Sequence, residues 1–191
     1  MTSQDRIRTA VIVGSTREGR FGETVARWFL ARAALHGELD IDLIDLAETD
    51  LPAVITDAPP APVRAMTARI AEADAYVFVT PEYNHGYPAS LKTALDWARE
   101  EWEAKPASFV SYGGMAGGLR SVEQLRQVLA ELHVVSIRDG VSFHNCHDLF
   151  DETGALIAPA GPDAAAKAML DQLASWAMAL REARERRPYV S

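Results

Sequence analysis

Residues 9–22 read TAVIVGSTREGRFG: an apolar run with branched side chains, a loop of glycines, hydroxyls and arginines, and the start of a helical pattern. The run fits a strand buried on both faces. The residues behind it are Gly14, Ser15, Thr16, Arg17, Glu18, Gly19, Arg20, Phe21 and Gly22. They lead into a segment whose apolar residues Phe21, Val25, Phe29 and Ala33 recur at every fourth position, as on one face of a helix. Strand, loop and helix in that order predict a βαβ unit and a parallel sheet.

The alternation continues along the chain. Residues 41–46 (IDLIDL), 75–80 (AYVFVT), 108–112 (SFVSY) and 133–137 (HVVSI) read as four more strands. Alternating polarity makes 41–46 an edge strand, while 9–13 and 75–80 read as central. Helical patterns cover 21–36, 63–73, 89–102 and 119–131, and a fifth carries Met169, Leu170, Leu173, Trp176, Ala177 and Leu180 into an Arg/Glu-rich tail. Residues 51–62 hold four prolines and predict a surface connection; 138–162 predict a long irregular or partly extended insertion. The expectation is an α/β three-layer sandwich on a five-stranded parallel sheet, with residues 1–191 as a single domain.

Composition narrows the function. Among 191 residues, 27 Asp plus Glu against 19 Lys plus Arg give a net charge of −8, which disfavours a broad nucleic-acid or anionic-membrane surface. Any phosphate is therefore held locally. Cys146 is the only cysteine, so a disulfide framework and a multi-cysteine zinc site are excluded. His144, Cys146 and His147 fit no standard zinc spacing, and no metal is expected. A Cys-x5-Arg phosphatase would need arginine where Glu152 stands, and Ser15 lacks the Gly-x-Ser-x-Gly setting of a hydrolase nucleophile. Neither a secretion signal nor a membrane-spanning run is legible, which predicts a cytoplasmic protein.

Ligands of open parallel sheets bind beyond the carboxyl ends of the strands, so the informative loops follow residues 13, 80 and 112. The first offers backbone N–H groups, hydroxyls and two arginines at a helix N-terminus, the chemistry that holds a phosphate. It lacks the Lys-Ser/Thr ending of a triphosphate loop and the Gly-x-Gly-x-x-Gly of a dinucleotide site. A mononucleotide is the better ligand. The second loop places Tyr83, Asn84, Gly86 and Tyr87 between Pro81 and Pro88, able to present an aromatic face and backbone donors to a flat heterocycle. The third has four glycines in residues 113–118, which let backbone approach a ligand closely.

Together, GSTREGRFG (14–22), PEYNHGYPASLKTALDWA (81–98) and SYGGMAGG (111–118) resemble the NADPH-dependent FMN reductase family of flavodoxin-like fold. The resemblance implies a sheet of order 2-1-3-4-5 and noncovalent FMN between strands one and three. It further implies that Ser15, Arg17, Arg20, Phe21 and Gly22 hold the FMN phosphate. Pro81, Glu82, Tyr83 and Asn84 would line the isoalloxazine, with Ser111, Gly113 and Gly114 on its pyrimidine side. His85 and Tyr87 fall on the substrate side by loop position. Two departures, Pro88-Ala89 in place of Pro-Gly and His85 itself, bear on substrate choice. The implied reaction takes hydride from NAD(P)H and passes two electrons to a small-molecule acceptor: free flavin, a quinone, an azo compound or a metal oxyanion. The chemistry resides on the flavin, so no side chain is required as acid or base. A flavodoxin-type electron carrier without NAD(P)H turnover is the alternative, against which Arg17 and Arg20 count. A homodimer or homotetramer is implied too, with Trp97 and Trp102 in the core or on a subunit face. The arginines of residues 181–187 read as a solvated helix end.

Overall fold

The structure, a computed structural model, describes residues 6–190. Strands β1 (Ile7–Val13), β2 (Leu39–Asp45), β3 (Ala75–Pro81), β4 (Pro106–Tyr112), β5 (Val135–Ser136) and β6 (Val141–Phe143) alternate with helices α1 (Gly22–Ala33), α2 (Ala61–Glu72), α3 (Ala89–Asp96), α4 (Leu119–Glu131) and α5 (Ala160–Arg186). All pairings are parallel and the order is β2-β1-β3-β4-β5, with β6 on β4. Every residue of β3 and β4 is buried, and β2 lies at the edge. Successive side chains of β1 serve opposite faces: Val11 and Val13 pack with Val25, Phe29 and Leu173 under α1 and α5, whereas Ala10 and Ile12 join Phe78, Leu91 and Leu125 under α2, α3 and α4.

The sheet has six strands where five are expected. β5 pairs with the start of β4 and β6 with its end, so the last strand position is filled by two short pieces around residues 137–140. At that break Gly140 lies against the Phe109 carbonyl, where a Cβ would come within 2.9 Å. The stretch 138–162, expected to be irregular or partly extended, thus returns to the sheet through β6. α3 ends at Asp96 instead of running on to residue 102. Trp102 folds back through the 3-10 turn Glu100–Trp102, is buried against Tyr76 and Phe78, and donates its indole N–H to the carbonyls of Leu95 and Ala98. It is core and supplies no subunit face. Trp97 is half-buried, with its indole N–H on the Pro52 carbonyl. α5 begins at Ala160, ahead of its apolar stripe. Its far end is not simply solvated: Arg184 donates to Asp74 and to the Ala104 carbonyl, and Arg181 also pairs with Asp74. Among the described residues no helix is long and apolar enough to cross a membrane.

Lys105 is buried at the amino end of β4, its ammonium donating to the carbonyls of Ile70, Ala71 and Glu101. Burial, with Arg184 nearby, pushes it down from 10.5 to about 8. Tyr76 beside it is pushed up from 10.0, also by burial. Between about pH 8 and pH 10 the unfolded chain therefore binds a proton at residue 105 that the native chain lacks, and stability rises with pH. Above pH 10 the unfolded chain loses the Tyr76 proton that the native chain keeps, and stability falls. Urea midpoints should rise with pH from about 8 in the parent and fall above pH 10, and the rising limb should vanish in Lys105→Met.

Candidate flavin site

Three loops meet at the carboxyl ends of β1, β3 and β4 around a crevice of about 390 Å³ lined by Arg17, Glu18, Gly19, Arg20, Phe21, Pro81, Glu82, Tyr83, Tyr112, Gly113, Gly114, Cys146 and His147. The first loop is shaped by a buried ion pair. Arg20, with 8% of its side chain exposed, donates to both carboxylate oxygens of Asp45 at 2.5 and 2.7 Å, to Glu23, and to the Ser15 carbonyl at 2.7 Å. Its hydrogen bonds to Asp45 raise its pKa against the opposing effect of burial. Asp45 terminates β2 beside β1, so the pair ties the loop to the sheet edge.

This arrangement leaves a set of donors. Within residues 14–20, Gly14 N–H goes to Val79 and Arg20 N–H to Arg17, while those of residues 16–19 have no acceptor among the described residues. α1 starts from Phe21 with no side-chain cap, so its first N–H groups add to the set. Arg17 is exposed and has no ion-pair partner among the described residues. A cluster of unpaired N–H groups, a helix N-terminus and one free guanidinium fit a phosphate.

Beneath the crevice the loops are joined. Ser15 is buried and its hydroxyl lies 2.6 Å from that of Tyr83. The Tyr112 hydroxyl is buried beside Ser15 without a partner of good geometry, and burial, then Tyr83, pushes its pKa up. It also packs on Gly22, where a Cβ would fall 2.6 Å from it; only glycine fits at the start of α1. In the second loop Tyr83 and Gly86 exchange backbone hydrogen bonds of 2.9 and 3.1 Å around Asn84 and His85, both at positive φ. Glu82 pairs with Arg120 at 2.8 Å. In the third, Ser111 is buried and donates to Gly117 at 2.8 Å. Gly113 and Gly114 are pinned from the β6 side by Gly113 N–H to Phe143, Cys146 N–H to Gly113 and Asn145 N–H to Gly114.

Of the residues singled out in the sequence, Arg17, Arg20, Phe21, Pro81, Glu82, Tyr83, Gly113 and Gly114 line the crevice. Ser15, Gly22 and Ser111 lie buried beneath it. Asn84, His85 and Tyr87 lie beyond its lining, the first two exposed. Tyr112, Cys146 and His147 were not anticipated there. Cys146 and His147 arrive because β6 brings the following 3-10 turn, Cys146–Asp148, back to the glycines, with the His147 ring edge-on to Phe21 at 4.6 Å. Burial pushes the Cys146 thiol up, away from a reactive thiolate. Among the described residues no His, Cys, Asp or Glu group could hold a metal.

An open parallel sheet of order 2-1-3-4-5, with the loop after β1 at its switch point, defines a flavodoxin-like fold. The flavoenzyme NAD(P)H:(acceptor) oxidoreductase FerB of Paracoccus denitrificans has that fold, with a TM-score of 0.74 at 24% identity over 90% of this chain and 97% of its own. The family model for NADPH-dependent FMN reductase matches residues 7–148. An NAD(P)H-dependent FMN reductase of Schizosaccharomyces pombe is 42% identical over 119 residues, 56% of this chain and 58% of that one. An NADPH:quinone oxidoreductase of Arabidopsis thaliana is 39% identical over 142 residues, 68% and 71% of the two chains. The aligned part thus spans little more than half of the yeast relative and about seven-tenths of the plant one. The chain belongs to the NADPH-dependent FMN reductase family.

The ion pair and the free arginine separate in a stability measurement. Arg20→Ala leaves Asp45, 13% exposed, without its counter-charge and should cost about 2 kcal/mol, less than fully buried pairs lose. Arg17→Ala should stay within about 0.5 kcal/mol of the parent, as for other exposed side chains. Urea midpoints of the two variants check the difference.

Proposed function

We propose that residues 1–191 act as one FMN-binding domain that oxidises NAD(P)H and reduces a small-molecule acceptor such as free flavin, a quinone, an azo compound or a metal oxyanion. The observation that carries this reading is the row of N–H groups at residues 16–19, without an acceptor among the described residues, beside Arg17, without an ion-pair partner among them. These donors take the FMN phosphate, with the N-terminus of α1 adding its positive end. Arg20, whose guanidinium is engaged by Asp45, supports the phosphate by fixing the loop backbone. Ser15 acts from below through Tyr83, and Phe21 and Gly22 set the start of α1.

Pro81, Glu82 and Tyr83 form one wall of the isoalloxazine pocket, with Asn84 completing their turn; Gly113 and Gly114, supported by Ser111, form the other. Bound FMN supplies hydride acceptance from NAD(P)H and two-electron delivery to the acceptor. The protein supplies position and exclusion of water, and His85 and Tyr87 meet the nicotinamide or the acceptor. The family's relatives named as FMN reductases and quinone oxidoreductases support this class of acceptor. The working form is a cytoplasmic homodimer or homotetramer.

The test is an absorbance spectrum of protein saturated with FMN and desalted, followed by NADPH without oxygen. Flavin bands should survive desalting and bleach on addition of NADPH, with no partner protein present. Bands that neither NADPH nor NADH bleaches would leave an electron carrier, and loss of the bands on desalting would contradict the assigned phosphate site.

A further inference from the structure

The turn that carries His85 is strained backbone beside the crevice, and it is gripped from one side by α4. Asn84 and His85 stand consecutively at φ 48° and 77°, a mirror-image two-residue turn in which the second position favours glycine. Asparagine tolerates that region, whereas the histidine Cβ makes it unfavourable. Such strain persists only where the surroundings impose it, and it concentrates at functional sites.

The imposing contacts come from two residues one turn apart on one face of α4. The helix starts from Gly118, which has no side chain to cap it. The Glu82 carboxylate, only 9% exposed, takes that place: it accepts from the Arg120 backbone N–H at 3.3 Å and from the Arg120 guanidinium at 2.8 Å. One turn on, Gln124 Nε2 donates to the His85 carbonyl at 2.9 Å. Its amide also lies against Gly86, where a Cβ would stand 3.0 Å from Gln124 Oε1. Arg120 grips the entry of the turn and Gln124 its tip. Both residues are exposed, and these hydrogen bonds join them to the turn.

Resting on the reading of the crevice as the FMN site, we propose that Arg120 and Gln124 are positioning residues: they hold residues 82–86 in the shape that offers His85 to NAD(P)H or the acceptor. Neither touches the reacting atoms. Their effect passes through the turn and is therefore separable from FMN binding.

The test is Gln124→Ala, an exposed helical position where alanine is well tolerated, studied as the FMN-loaded enzyme and also in a His85→Gly background. Glycine adopts the positive φ without strain, so the grip becomes dispensable there. Gln124→Ala should speed hydrogen exchange at the Gly86 amide, which donates to Tyr83, by about tenfold as the turn opens locally. It should raise the KM for NADPH about fivefold, with kcat and the Kd for FMN unchanged within about twofold. In the His85→Gly background the same substitution should change neither exchange nor KM. Unaltered Gly86 exchange and KM, or a KM rise of equal size in both backgrounds, would overturn the proposal while leaving the FMN reading intact. A parent protein that neither retains FMN nor oxidises NADPH would overturn both.

Discussion

The Arg20 guanidinium donates to Asp45 and to the Ser15 carbonyl from inside a loop that has only two fixed backbone hydrogen bonds of its own. The ion pair, more than local turn chemistry, therefore sets the course of residues 14–20. Its partner terminates the edge strand, so the loop is anchored to the sheet without using the N–H groups of residues 16–19. Because Asp45 compensates the charge of Arg20, Arg17 is the cation of the loop with no ion-pair partner among the described residues. A guanidinium neutralised by a carboxylate holds a backbone in place; an unpaired one attracts an anion.

The other two loops are tied to this one by hydrogen bonds beneath the crevice. Ser15 meets Tyr83 under its floor, Glu82 reaches the first turn of α4, and Gly113 and Gly114 bond to the segment that follows β6. Each loop is thus fixed by an element remote from it in sequence, leaving the crevice walls largely to backbone and aromatic rings. That suits a protein whose chemistry resides on a bound cofactor, since position and electrostatics are what the chain must supply. The turn at Asn84 and His85 stores backbone strain that α4 sustains.

The central strands were legible because β1 and β3 carry apolar runs and are buried on both faces, while β2 alternates; the strand order was implied by the family resemblance of the three loops. The loops were legible because their composition has few other uses. What escaped notice depends on contacts distant in sequence. Leu91, Leu95, Ala98 and Trp102 keep a helical period through residue 102, yet Trp102 leaves the helix to pack on Tyr76 and Phe78. β6 has three residues, too few for a periodic signal, and it alone accounts for Cys146 and His147 at the crevice. Arg181 and Arg184 look solvated until Asp74, more than a hundred positions away, is folded against them. The partnership of Arg20 with Asp45 was hidden in the same way, since nothing local distinguishes it from Arg17.

The central claim is that the loop after β1 binds a phosphate through its unpaired N–H groups and Arg17. Titrating the flavin-free protein with FMN and with riboflavin, followed by quenching of flavin fluorescence, tests it directly, because the two ligands differ only in that phosphate. FMN should bind about 100-fold more tightly, a difference of ~2.7 kcal/mol. Equal affinities for the two would contradict the account.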